Sequence, residues 1–274
     1  MSKPRMCPHC RAFIDQKART CEYCGNDLPV TAARRIRRER RVRRASAQMG
    51  FTTMMLLLIN AGLFVACWIL TAKFSGDAGF LGGIDGKVLH MLGAKFRLSI
   101  LLHDEWWRLI TANFLHGGLL HLAFNTMSLF NLGPLAEQIF GTARFLVLYL
   151  ATGLCGFLAS TAWSDSLSIG ASASICGLIG AMYGFGRISF NSQLKSVALR
   201  WVIAIAVFGL LFPRIDNAAH FGGLGAGFGL AYVVGVPGHD ENRESIWKGV
   251  SIGAIAVTAW AFFMAYQNFA GTVS

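Results

Sequence analysis

Charge is what this sequence has least of. Charged residues make up 14% of its 274 positions, against about 25% in an average soluble protein. A soluble fold needs that polar surface, so the deficit excludes an ordinary soluble domain. Hydrophobic residues fill 54% of the chain, and lipid is the solvent such a composition suits. Acidic residues are scarcest inside the apolar runs: Glu137, Asp165 and Asp216 all lie at their ends or in loops. The pair of membrane carboxylates that aspartyl proteolysis requires is therefore missing. So is the relay of buried Asp or Glu usual in proton-driven transport. The sequence has no HExxH segment, which removes zinc-dependent intramembrane proteolysis. Residues 1–30 carry Pro4, Pro8 and Pro29 and lack an apolar h-region. They do not read as a cleavable signal peptide, and the N-terminus is expected to stay in the cytosol.

What is there is strongly segregated. Net charge is +11, and eight arginines lie between Arg34 and Arg44, interrupted by Ile36, Glu39 and Val42. Such a run serves nucleic acid, anionic lipid or membrane topology. Next to a hydrophobic segment it reads as a topology signal. Ahead of it, Cys7, Cys10, Cys21 and Cys24 form two C-x2-C units ten residues apart. Four thiolates at that spacing suit one tetrahedral structural Zn2+ in a compact ribbon. A cytosolic location keeps them reduced and argues against disulfides. His9 lies inside the first unit, but four cysteines already complete the site. Cys67, Cys155 and Cys176 are isolated in apolar runs and read as small buried hydrophobes. The expected domains are a ribbon at 1–30, a basic linker at 31–50 and a membrane domain at 51–270.

An apolar stretch of about 20 residues crosses a bilayer. Spans are expected at Phe51–Ala72, Leu109–Leu132, Phe145–Trp163, Ser172–Ile188, Val197–Phe212, Ala218–Val236 and Ile246–Phe269. Residues 73–105 are mixed and read as a structured loop with amphipathic pieces at Val88–Leu92 and Phe96–Leu102. The fold class is all-α and polytopic. With the N-terminus inside, the basic loops at Arg144, Arg187–Arg200 and Arg243–Lys248 also fall inside, as the positive-inside rule asks. The loops at 73–105, 164–168 and 213–217 fall outside.

Polar groups inside spans are costly and mark function by default. The second span holds His116, His121, Asn125 and Asn131; the fourth begins with Ser172 and Ser174; the sixth begins with Asn217 and His220. A serine and a histidine are the minimum for an activated hydroxyl nucleophile. Ser172 and His220 both lie at the outer ends of their spans. His121 and Asn125 share a helix face at similar depth, where water has access. Gly177, Gly180 and Gly184 in the fourth span, and Gly223 and Gly227 in the sixth, permit close helix approach. Ser174 lies near the opposite helix face and reads as packing. His90 and His103 read as loop-surface residues, and Trp106, Trp163 and Trp201 as interfacial aromatics.

These pieces make the chain resemble the rhomboid family across roughly residues 51–270. The resemblance rests on Trp107-Arg108 in the first outer loop and His116-x4-His121-x3-Asn125 in the second span. Gly170-x-Ser172 and Ala219-His220-x2-Gly223-x3-Gly227 complete it. It implies a six-helix rhomboid core plus a seventh C-terminal helix. It implies a catalytic dyad of Ser172 and His220, with His121, Asn125 and the Ser172 backbone N–H as oxyanion donors. His116 would hold the outer loop, Trp107 and Arg108 would shape it, and Glu137 would brace the cytosolic side. The sequence departs from the family pattern at Ala173, usually glycine, and at Cys176, often an aromatic that stacks on the histidine.

The implied activity is serine-type hydrolysis of peptide bonds in transmembrane helices of membrane-protein substrates, with no catalytic cofactor. The alternative is a catalytically inactive rhomboid-like protein that binds transmembrane clients, a class that typically lacks the serine or histidine. A transporter is disfavoured by the missing carboxylates and the absence of repeated halves. The ribbon and arginine run also suit a cytosolic partner, with nucleic acid the weaker choice. A bacterial inner membrane fits best.

Overall fold

In the computed structural model, the described residues are 5–7, 9–15, 18, 20–27, 50–76, 83–212, 215–237 and 241–273. The chain forms two compact units, Met1–Gln48 and Met49–Ser274. The basic linker expected at 31–50 lies, apart from Gly50, outside the described residues.

The first unit pairs two short antiparallel strands, β1 (Arg5–Met6) and β2 (Phe13–Ile14), in the register Arg5↔Ile14 and Met6↔Phe13. Each C-x2-C unit closes the same way. Arg11 N donates to Cys7 O at 2.9 Å and Gly25 N to Cys21 O at 2.8 Å. The residue after each second cysteine has a positive φ, 62° at Arg11 and 69° at Gly25. Glycine adopts that conformation without cost.

The second unit is helical. Its elements are α1 (Phe51–Ser75), α2 (Gly86–Met91), α3 (Arg97–His103) and α4 (Arg108–Thr111), then a 3-10 turn (Ala112–Phe114). After it come α5 (Leu119–Phe140), α6 (Thr142–Trp163), α7 (Ser172–Ile188), α8 (Ser192–Leu211), α9 (Asn217–Val234) and α10 (Glu241–Val273). Among the described residues, α1, α6, α8 and α10 are long and apolar enough to cross a membrane by length and composition. The three remaining long helices, α5, α7 and α9, carry the polar and glycine-rich segments. The protein is a multi-pass membrane protein.

Two expectations need correction. The second span is not continuous from Leu109 to Leu132. The chain leaves helical geometry after the 3-10 turn, and α5 starts only at Leu119. Gly117-Gly118 supplies the break, and Gly118 is fully extended at φ 174°. The basic loop expected at Arg243–Lys248 is instead the first turns of α10. Within 73–105, the amphipathic pieces fold as α2 and α3.

Glu137 on α5 braces the start of α1. Its carboxylate accepts from Thr52 N at 3.2 Å, from Thr53 N at 3.0 Å and from Thr53 Oγ1 at 2.9 Å. Those backbone donors would otherwise be orphans at a helix N-terminus. A side chain at Gly50 would strike Glu137. At the far end of the sequence, Arg144 of α6 meets Glu244 of α10 in a two-pronged ion pair at 2.7 and 2.9 Å. It also donates to Val234 O and stacks over Trp247. From there α10 packs along the molecule through Phe262 against Phe114. Ala261 and Ala265 are buried against Trp107, and Asn268 Nδ2 donates to Met91 O at 2.9 Å.

Candidate active site

α7 and α9 are held closer than ordinary helices. A Cβ added to Gly227 would lie 1.9 Å from Gly177 O, one on Gly223 2.1 Å from Ala173 O, and one on Gly180 2.1 Å from Leu224 O. The backbones themselves form the contact, as small residues permit in membrane helices. This approach brings the first residue of α7 to the first turn of α9. His220 Nε2 and Ser172 Oγ are 2.7 Å apart. His220 Nδ1 is buried and has no hydrogen-bond partner among the described residues. If Nε2 is to accept the serine proton, the ring proton sits on Nδ1, and no acid orients it.

The oxyanion candidates gather beside the serine. Gly170 has φ +117°, and a Cβ there would lie 2.6 Å from His121 Nε2 and 3.7 Å from Asn125 Nδ2. Gly170 N donates to Ala112 O at 2.8 Å, which anchors the approach to Ser172. Gly117 N donates to His121 Nδ1 at 3.4 Å. That donor makes Nδ1 an acceptor and leaves the His121 proton on Nε2, the nitrogen facing Gly170. Asn125 Nδ2 also donates to His121 O at 3.0 Å. Ser172 begins α7, where backbone N–H groups lack intrahelical partners and the dipole favours negative charge.

The supporting residues are placed as follows. Arg108 is fully buried: Nε meets Glu105 at 2.5 Å, while Nη1 donates to His90 O at 2.5 Å and Ala94 O at 3.1 Å. Its guanidinium lies over the Trp107 ring at 4.7 Å. His116 is buried, and its Nδ1 bond goes to Phe114 O at 3.2 Å rather than to the outer loop. The carbonyl of Gly117 makes the link to that loop, accepting from Ile84 N at 3.1 Å. Ser174 is a packing group, with its hydroxyl on Asn113 Oδ1 at 2.9 Å and on Tyr149 O. The methyl of Ala173 faces Gly156 on α6. Cys176 borders a cavity of about 20 Å³ beside His220, lined also by Ile205, Asn217 and Leu224.

Two residues escape a reading of the sequence by span. Asp216 Oδ1 accepts from Ala219 N at 3.0 Å, and Oδ2 accepts from Ser160 Oγ. An aspartate directly ahead of an apolar helix is a helix-start signal, so its capping role was findable. Lys95 had no such signal. It is fully buried, and its Nζ donates to Ser164 O at 2.6 Å and Ser166 O at 3.2 Å. Burial pushes the Lys95 ammonium below the usual lysine range, and Asp216 and Asp165 oppose that shift.

In the first unit, Cys7, Cys10, Cys21 and Cys24 present four sulfurs all within 4.8 Å of one another. The Cys7–Cys24 and Cys10–Cys21 separations are 3.8 and 3.6 Å. Four thiolates about 2.3 Å from a tetrahedral ion stand roughly 3.8 Å apart, so the donor set fits one metal ion. His9 is exposed.

Comparison with known proteins agrees with this architecture. A family model, Rhomboid domain, matches residues 103–237. The rhomboid protease GluP of Bacillus subtilis is 36% identical over 198 residues, covering 71% of this chain and 38% of GluP. RHOMBOID-like protein 5 of Arabidopsis thaliana is 41% identical over 155 residues, 53% of this chain and 49% of that protein. This chain therefore spans less than half the length of either relative. YdcA of Bacillus subtilis is 37% identical over 137 residues, 48% of this chain and 68% of YdcA. With the seven long helices, the glycine-packed α7–α9 pair and these relatives together, the chain belongs to the rhomboid family.

Proposed function

We propose that this protein is an intramembrane serine endopeptidase that hydrolyses peptide bonds in or near transmembrane helices of membrane-protein substrates. The observation that carries the proposal is the 2.7 Å contact between Ser172 Oγ and His220 Nε2 at the paired ends of α7 and α9. In the proposed reaction the substrate helix unwinds locally, since helical carbonyls are closed to attack. Ser172 Oγ attacks the carbonyl carbon while His220 Nε2 takes its proton. The oxyanion faces His121 Nε2–H, Asn125 Nδ2–H and the Ser172 N–H, each worth about 10²–10³ in rate. His220 then protonates the departing amine. Water, deprotonated by His220, releases the acyl group and restores the serine. α7 supports this placement by its length. Its 17 residues extend roughly 26 Å, short of the ~30 Å hydrocarbon core, which suits a Ser172 recessed below one membrane face.

The same reading places the N-terminus in the cytosol and the dyad toward the outer face, by the positive-inside rule. A bacterial inner membrane suits the ribbon-bearing N-terminus. The four cysteines would hold a structural Zn2+ that takes no part in the reaction, and the ribbon would serve a cytosolic partner. The test is cleavage of a single-span reporter by the purified chain in liposomes. Wild type should cleave, and Ser172→Ala and His220→Ala should each lose at least about 10³-fold. A folded wild type inert toward several reporters would favour a non-catalytic client binder. Cleavage surviving in Ser172→Ala would remove the assigned nucleophile.

A further inference from the structure

Each half of the dyad is delivered by a loop, and each loop is pinned by one charged side chain outside the reaction scheme. Asp216 stands four residues ahead of His220, at the start of α9. Its Oδ1 caps Ala219 N at 3.0 Å, and its carbonyl accepts from His220 N at 3.2 Å. Its Oδ2 ties this cap to Ser160 on α6. Lys95 does the corresponding work for Ser172. Its backbone N–H and C=O pair with those of Ser168, each at 3.0 Å, and its ammonium holds Ser164 O and Ser166 O. That turn runs through Ile169 and Gly170 into Ser172. A buried ammonium is costly unless its bonds are made, so the turn and the lysine hold each other.

We propose that Asp216 and Lys95 are positioning residues of the dyad. Asp216 fixes the helix turn that carries His220, and Lys95 fixes the turn that delivers Ser172. The proposal rests on the catalytic reading of those two residues. Neither Asp216 nor Lys95 touches the reacting atoms. They act by keeping two separately anchored groups at hydrogen-bond distance.

The test uses the full chain in detergent, with kcat and KM measured separately on the single-span reporter and thermal unfolding followed alongside. The variants are Asp216→Ala, Asp216→Asn and Lys95→Met. Asparagine caps a helix as well as aspartate, so Asp216→Asn keeps the cap and removes the charge. A misplacement of about 1 Å costs up to roughly 10²-fold. Asp216→Ala and Lys95→Met are expected to lower kcat by about that factor with KM nearly unchanged, and Asp216→Asn to recover most of the loss. Wild-type kcat per folded molecule in Asp216→Ala or Lys95→Met overturns the proposal, and so does an effect on KM alone. Asp216→Asn as impaired as Asp216→Ala overturns the capping role. An experimental structure of Asp216→Ala decides the point without activity. A Ser172–His220 contact lengthened beyond hydrogen-bond reach supports the proposal, and an unchanged 2.7 Å contact sinks it. If wild type fails to cleave while that contact lengthens, the protease reading falls and the positioning pair stands.

Discussion

The helices that identify this chain as a membrane protein are not the helices that build its site. α1, α6, α8 and α10 are the apolar ones, and in α8 and α10 only 17% of the most apolar stretch is buried within the protein. Their outward residues, such as Leu210 and Ile203 on α8 or Ile252 and Phe263 on α10, are exposed to the surroundings. α7 is the opposite case, with twelve of its seventeen residues buried. Because its neighbours shield it from lipid, it can afford glycine and serine where α8 carries valine and isoleucine. Hydropathy therefore locates lipid contact, while the candidate site lies where hydropathy weakens.

One helix allows this contrast to be tested on itself. On α9, Gly223 and Gly227 meet α7 backbone, whereas a Cβ at Gly225 or Gly229 would have nothing within 4 Å. Gly227→Leu should have the largest effect of any glycine change, with cleavage abolished and stability lowered by at least about 1–3 kcal/mol. Gly229→Leu should cleave like wild type. Reporter cleavage with thermal unfolding reads both, and equal effects would erase the distinction between the two faces.

Glu137→Ala comes next. It strands the Thr52 and Thr53 donors at about 1–3 kcal/mol for each group left unpaired. The expected result is a lower unfolding temperature with kcat per folded molecule retained, since Glu137 braces α1 rather than the dyad. Arg144→Met should be milder. It frees α10 at one end only, and Glu244 is partly exposed, so the ion pair itself contributes about 1 kcal/mol. Limited proteolysis in the first turns of α10 should quicken in that variant while cleavage persists. Leu210→Ala, on a residue 82% exposed, should change neither readout beyond about 0.5 kcal/mol. Chelation of the cysteine cluster should release one equivalent of metal and leave reporter cleavage unchanged, because the ribbon is a separate unit.

Much of this was legible in the sequence. Isolated hydrophobic runs marked six of the seven spans to within about five residues, while the second, expected at Leu109–Leu132, forms its helix only over Leu119–Phe140; the two C-x2-C units marked a metal-sized cluster. Ser172, His220, His121 and Asn125 stood out because polar groups are rare in such runs. The structure sets Ser172 Oγ and His220 Nε2 2.7 Å apart, and holds His121 and Asn125 together beside Gly170. The break at Leu115–Gly118 was hidden, since an apolar run with two glycines reads as helix when only composition is weighed. Cys67 and Cys176 are buried as expected, and Cys155 is half-buried.

Local sequence thus determined which segments enter lipid, which residues carry reactive groups, and where most helices start and stop, because those properties depend on neighbours a few positions away. Tertiary structure alone decided the rest. α10 reaches across to Met91, and Lys95 grips a turn some seventy residues later in the chain. Those are pairings between distant segments, set by how the helices pack rather than by any pattern within one of them.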